Sequence, residues 1–148
     1  MKKIILVAGL VLLFSCQHAF AYQTALIGGV RDGLGMGIET SNKFSDYVTG
    51  RFGVEGTTGE DQDLTGDNPF LVFVGLKMPL AASQDSPVSW GLGLIGNYGN
   101  RTELGEYISV IFDKFYRDAY FLETGLDWFG DHGHLEAQVG YRFPSWNQ

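Results

Sequence analysis

Two histidines near the C-terminal end of the sequence are candidates for metal or hydrolytic chemistry. His132 and His134 flank Gly133 and follow Asp131 directly. Alternate histidines at a hairpin can ligate zinc or copper, but a structural or catalytic site needs further ligands that this segment does not supply. No serine lies beside either histidine, so a nucleophile and its base are not adjacent in the sequence. The sequence therefore predicts no catalytic residue, and it leaves the two histidines as metal candidates only.

An acidic segment over residues 60–68 is a second candidate for binding a metal ion. The positions that match the opening of a calcium loop, together with the acid that follows them, are Asp61, Asp63, Thr65, Gly66 and Asp67. Such a loop closes with a bidentate glutamate, whereas Val72 occupies that position here, and no flanking helices are evident. We expect a solvated acidic loop that binds no cofactor, with a divalent cation at these acids as the alternative.

Ionisable residues recur at alternate positions along several segments of the sequence. The ten that share one face are Arg31, Glu39, Arg51, Glu55, Lys77, Asp113, Glu123, Asp127, Glu136 and Arg142. If this face is an interior, its charges must be paired, because an uncompensated buried charge costs several kcal/mol. We therefore predict an internal ladder of salt bridges, in which the excess acids lie near the mouths, are protonated, or share a cation with water. A proton or cation path along these acids is the functional alternative.

The elements that must position these residues are β-strands. After residue 21 the sequence shows no helical period, and apolar and polar residues alternate with period two between turn-forming clusters. We predict eight strands, at about 22–31, 33–41, 46–57, 69–79, 88–98, 105–116, 119–129 and 134–143. Their lengths are close to the roughly 9–11 residues that a tilted strand needs to cross a bilayer. No linker or repeat indicates a second domain, so the predicted fold is an all-β, eight-stranded antiparallel up-and-down transmembrane barrel.

The direction in which each face points decides what kind of barrel this is. A soluble barrel of the lipocalin kind would bury the uncharged face, whereas a membrane barrel would turn it towards lipid. Glycine is frequent on the polar face, where it makes room inside a narrow barrel. Aromatic residues on the apolar face lie near the strand ends, as in interfacial girdles: Trp90, Tyr120, Tyr141 and Phe143 towards one rim, and Phe70, Tyr98 and Trp128 towards the other. Both features favour a lipid-facing exterior, and a soluble periplasmic ligand-binding barrel is the alternative.

The N-terminal segment predicts export from the cytoplasm. Lys2 and Lys3 precede an apolar run that is too short to span a bilayer, and Ala21 ends a small-residue cleavage site. We predict a signal peptide over residues 1–21 and a barrel domain over 22–148; lipidation of Cys16 is the alternative. Without Lys2 and Lys3, eight basic residues face 17 acidic ones, a net charge of −9. This acidic balance argues against nucleic acid as a partner.

The pattern as a whole resembles a known family. The glycine-rich opening from Gly28 to Glu39, the strand from Tyr47 to Glu55 with its Arg51, and the aromatic finish from Gly140 to Phe143 are similar to small outer-membrane barrels of the OmpA transmembrane-domain and OmpX type. Residues 144–148 follow Phe143 here, whereas family members commonly end at the aromatic residue that the assembly machinery recognises. The resemblance implies a monomer in the cell outer membrane that contacts outer-membrane lipid, lipopolysaccharide and the barrel-assembly machinery.

The resemblance also implies a topology and a role. An even strand number with both termini in the periplasm places external loops near Asp32 and over residues 59–68, 99–104 and 130–133, although residues 80–87 are long for a periplasmic turn. Side chains fill a barrel of eight strands, so we predict a closed lumen and a non-enzymatic structural or interaction role in the envelope. The enzymatic alternative is a lipid A deacylase. The His-x-Ser-Asn pattern of that activity is replaced here by the run from His132 to Leu135.

Overall fold

The computed structural model describes residues 22–31, 33–58, 70–81, 86–98 and 102–144 of the 148-residue chain. Every regular element in these ranges is a strand, as the alternating pattern predicts. The strands are β1 (Tyr22–Val30), β2 (Leu34–Lys43), β3 (Thr49–Thr57), β4 (Phe70–Pro79), β5 (Val88–Tyr98), β6 (Thr102–Tyr116), β7 (Tyr120–Phe129) and β8 (His132–Arg142). The predicted signal peptide, Cys16 and the acidic segment lie outside the described residues.

No helix in the described part of the chain is long and apolar enough to cross a membrane.

The eight strands form one closed barrel. Each strand pairs antiparallel with its neighbour in the chain, and β1 closes the sheet on β8 through a register that runs from Ala25 opposite Arg142 to Val30 opposite Ala137. Closure leaves no edge strand with unpaired backbone groups. The predicted eight-stranded antiparallel barrel is therefore confirmed, and both ends of the described chain lie at the same end of it, which we call the terminal end.

Strand boundaries differ from the predicted ones where turn chemistry intervenes. β3 begins at Thr49 instead of about residue 46, because the Ser45 hydroxyl accepts hydrogen bonds from the backbone N–H groups of Tyr47 and Val48 and holds a turn. Tyr47, which the sequence placed in the third strand, is instead exposed in this turn. At the other end, β7 and β8 are joined through Gly130, whose φ of 59° is what the first central residue of a two-residue hairpin turn requires.

The interior also contains apolar side chains, which the alternation of polar and apolar residues in the sequence did not distinguish from the outward-facing ones. Nine apolar side chains are buried inside the barrel: Ala25, Ile27, Leu71, Phe73, Ile95, Tyr107, Ile111, Phe121 and Phe129. Glycines at the register positions directly beside the largest rings, on the adjacent strands, make space for them, since a Cβ atom at Gly53 would overlap the Phe73 ring and one at Gly140 would overlap the Phe121 ring. The lumen is thus packed with rings as well as charges, which corrects the predicted mixture of ionisable groups and glycines.

Candidate functional site

The ten ionisable residues predicted for one face all project into the lumen. Seven of them are buried, and the other three, Lys77, Asp113 and Arg142, are half-buried towards the terminal end. They form three groups along the barrel. The Arg31 layer contains Arg31, Glu55, Asp127, Glu136 and Gln138. The Arg51 layer contains Arg51, Glu39, Glu123 and Ser109, and the Asp113 layer contains Asp113, Lys77, Arg142 and Ser89.

In the Arg31 layer one guanidinium faces three carboxylates. Arg31 donates to both oxygens of Asp127, at 2.9 Å from Nε and 3.1 Å from Nη2, and its Nη1 donates to Glu55 at 3.0 Å. The Gln138 amide donates a short hydrogen bond to the second oxygen of Glu55. A fork of this kind is among the stronger arrangements available to a buried ion pair, because each donor meets an oxygen in line.

Glu136 is the least compensated acid of the Arg31 layer. Its Oε1 lies 3.3 Å from Arg31 Nη1, yet neither carboxylate oxygen accepts a hydrogen bond from any described residue, and the residue is only 1% exposed. Arg31 already uses the same Nη1 group to bind Glu55. The Arg31 layer therefore carries an excess of negative charge, and no donor in the described part of the chain is directed at Glu136.

In the Arg51 layer the number of hydrogen-bond donors matches the number of carboxylate oxygens more evenly. Arg51 donates to both oxygens of Glu39, at 3.0 Å from Nε and 2.7 Å from Nη2, and to both oxygens of Glu123, at 2.7 Å from Nη1 and 2.5 Å from Nη2. The Ser109 hydroxyl adds a 2.6 Å hydrogen bond to Glu123. Each carboxylate oxygen thus has a donor, although two acids share a single cation.

Aromatic rings separate and support the two arginines. The Phe73 ring lies between them, with its centroid 4.7 Å from Cζ of Arg31 and 5.6 Å from Cζ of Arg51. Tyr107 packs edge-on against Phe73 and lies 5.0 Å from Cζ of Arg31. Contact with a ring face stabilises a desolvated cation. These rings therefore help to hold both guanidinium groups in the orientations that their carboxylates require.

The Asp113 layer reverses the charge ratio, with two cations around one carboxylate. Lys77 Nζ lies 2.6 Å from Asp113, Arg142 donates to both the carboxylate and, at 2.7 Å, the backbone carbonyl of the same residue, and Ser89 donates at 2.6 Å. A recess open to solvent lies beside this layer, between Arg51, Lys77 and Arg142, and its free space of about 10 Å³ is roughly what one water molecule needs. The packing supports a lumen filled by side chains.

The metal candidates gain no further ligands from the fold where they are described. His132 is exposed at the start of β8, and the half-buried His134 ring packs edge-on against Phe129 at 5.9 Å. Among the described residues, no three His, Cys, Asp or Glu side chains are grouped so that they could hold a metal ion. Asp61, Asp63 and Asp67 lie outside the described ranges.

The sequence reading did not identify several members of the site. Ser89 belongs to the Asp113 layer, and Phe73 and Tyr107 lie between the arginine layers. The available signal was whether a residue number is odd or even. In β1–β7 the odd-numbered residues face inward, as Arg51 and Lys77 do, and the three missed residues are all odd-numbered. In β4 the alternation of polar and apolar residues that marks the inward face was absent, since Phe70 to Leu76 is apolar on both faces except at Gly75.

A scan against protein-family models and a search of curated proteins each find no match to this chain.

Proposed function

We propose that this chain is a non-enzymatic outer-membrane β-barrel with a closed, charge-filled lumen and a structural or interaction role in the cell envelope. The observation that carries the proposal is the sidedness of the wall: ion pairs are sealed inside while large apolar side chains point outward. Met36 and Ile38 on β2 and Val74 on β4, for example, are 67%, 58% and 43% exposed. Water-soluble proteins rarely present a continuous apolar surface of this kind, whereas acyl chains are a favourable environment for it.

The aromatic side chains on the outer wall support the same proposal. Phe70 and Tyr98 stack with their ring centroids 5.2 Å apart at one end. At the terminal end, Tyr120 and Tyr141 are 5.1 Å apart, and Phe143 continues the row at 5.5 Å from Tyr141. Rings concentrated near both ends of the strands are typical of the two membrane–water interfaces.

One charged side chain on the outer wall bears directly on the membrane proposal. Glu106 is exposed on the otherwise apolar outer face of β6, between Leu104 and Ile108. Its register partners are Trp128 on β7, next to the β7–β8 turn, and Leu94 on β5, four residues before the end of that strand. The cost of a charge on a lipid-facing wall falls from the bilayer centre towards the interface and is smaller for Glu than for Lys or Arg, so the proposal requires the Glu106 carboxylate to reach the headgroup level.

The positions of the serines and histidines in the described part of the chain do not favour the enzymatic alternative. Ser89 and Ser109 are buried and donate to Asp113 and Glu123, so each hydroxyl is engaged in a lumenal layer. A lipid A-modifying activity would need a nucleophile beside a base where lipid can reach it. The two histidine positions of β8 lie at the opposite end of the barrel from the turn serines Ser45 and Ser86. As a membrane barrel, the chain would have lipid, lipopolysaccharide and the barrel-assembly machinery as its partners.

Fractionation of a Gram-negative host that expresses the full chain tests the proposal. We expect the protein to stay in the pellet when membranes are washed with carbonate and urea, and to migrate faster on a gel before boiling than after it. Recovery in the soluble periplasmic fraction would overturn the membrane assignment. Lipid A mass spectra with and without expression test the non-enzymatic role separately, since loss or gain of an acyl chain would replace it with an enzymatic one.

A further inference from the structure

At the terminal end, β6 continues past the part of the strand that pairs with β5. β6 pairs with β5 as far as Phe112, opposite Val88, and then continues to Tyr116. Its register with β7 shifts between Phe112 and Tyr116, where the two strands no longer match residue for residue. β6 is 15 residues long, against 9–11 for the other strands, because of extra length at both ends. The last residues of β6 and the turn therefore extend past their β5 neighbour.

Beyond the part of β6 that pairs with β5, side chains on both sides of the strand are exposed. In a regular strand, one of two consecutive residues would face the lumen, but here residues 114–118 are all exposed. Phe115 and Tyr116 are 57% and 60% exposed, although they are adjacent in sequence. We call residues 114–118 the 114–118 tip. It presents two neighbouring rings away from the barrel core.

The tip also carries positive charge on an acidic protein. Lys114 and Arg117 flank the two rings, Asp118 follows them, and Cζ of Arg117 lies 5.4 Å from the Tyr116 ring centroid. No carboxylate of a described residue is within ion-pair distance of Lys114 or Arg117. In the β2–β3 turn, at the same end but on the opposite side of the barrel, Lys43 is by contrast paired with Asp46 at 3.0 Å. The tip therefore has a net positive charge, while the chain as a whole has a net charge of −7.

We propose that the 114–118 tip is a contact site for anionic phospholipid headgroups. Aromatic side chains favour the headgroup level of a bilayer, basic side chains are attracted to an anionic surface, and a guanidinium can donate two parallel hydrogen bonds to a phosphate. The inference rests on the proposed function, because headgroups meet the tip only if the barrel wall lies in a bilayer. It adds a preference for lipid charge that an apolar wall and aromatic rims do not supply.

Electron spin resonance of labelled lipids tests the preference. The full chain is expressed in a Gram-negative host and purified in whatever processed form the cell produces. It is then reconstituted in phosphatidylcholine with a trace of spin-labelled phosphatidylglycerol or phosphatidylcholine. The measured quantity is the ratio of the two association constants at the protein surface. We expect a ratio of about two, because a roughly fivefold preference per basic residue at the tip is averaged over all the lipids around the barrel. The ratio should fall as salt is added.

Three variants make the test specific to the tip. The double variant Lys114→Gln/Arg117→Gln should bring the ratio to about one, and Asp118→Asn should raise it, an increase that loss of folding would not produce. The double variant Lys43→Gln/Asp46→Asn is the matched control and should leave the ratio unchanged, because it removes a lysine together with the aspartate that neutralises it. Equal association of both lipids, or a double variant that keeps the wild-type ratio, would overturn the inference. Absence of any immobilised lipid signal would instead overturn the membrane barrel itself.

Discussion

The Arg31 layer and the Arg51 layer use the same chemistry with a different balance of charge. Each has one fully buried guanidinium, a bidentate carboxylate and a second acid that the same cation binds. Among the described residues the Arg51 layer has no third acid, and every carboxylate oxygen of Glu39 and Glu123 receives a hydrogen bond. The Arg31 layer adds Glu136, whose oxygens receive none from the described residues. The comparison predicts that the energetic cost of a buried acid in the lumen depends on how many donors are directed at it.

Removing the cation of the balanced layer should have the largest effect. Arg51→Leu leaves Glu39 and Glu123 buried without a counter-ion, and we expect a loss of about 3–5 kcal/mol in the free energy of unfolding. Urea unfolding of the detergent-solubilised protein, followed by tryptophan fluorescence, measures it. Arg117→Leu is the matched control on the exposed tip and should change stability by less than about 0.5 kcal/mol. An unaltered urea midpoint for Arg51→Leu would contradict the ion-pair role of this layer.

Two of the three acids of the Arg31 layer, Asp127 and Glu136, should respond in opposite ways to loss of charge. Asp127→Asn removes the charged half of a bidentate pair and should cost about 1.5–3 kcal/mol. Glu136→Gln keeps the shape of the side chain and removes excess negative charge, so stability should be unchanged or greater. Thermal melting by circular dichroism compares the two variants directly. If Glu136→Gln destabilised the barrel as much as Asp127→Asn does, the contrast between the layers would be wrong.

The Asp113 layer should show the smallest effect of the three. Asp113→Asn leaves Lys77 and Arg142 without their shared carboxylate, but both cations reach solvent, with 22% and 12% of their side chains exposed. Water can therefore replace part of the lost interaction, and we expect a cost of about 1 kcal/mol. The loss should shrink further in high salt, whereas that of Asp127→Asn should not. Equal salt dependence for both variants would mean that the mouth layer is as dry as the Arg31 layer.

The strands and their sidedness could be predicted from the sequence because period two is a local property. Arg51, Glu55 and Gly53 share one face of a single strand whatever the partner strands are. Boundaries were less predictable where a side chain caps a turn, as Ser45 does before β3. Inward residues were missed in β4, where Leu71 and Phe73 are as apolar as their outward neighbours and alternation carries no contrast.

The sequence by itself determined that four cations and six carboxylates would occupy one face of an all-β chain, because charge and strand period are both written along it. Only the tertiary structure decided which acid meets which base. Arg31 binds Asp127 from 96 residues away, and this pairing depends on barrel closure and on the register of every strand between them. The same closure placed Phe73 between the two arginines and left Glu136 without a donor among the described residues, since a narrow lumen fixes how many donors can reach each carboxylate.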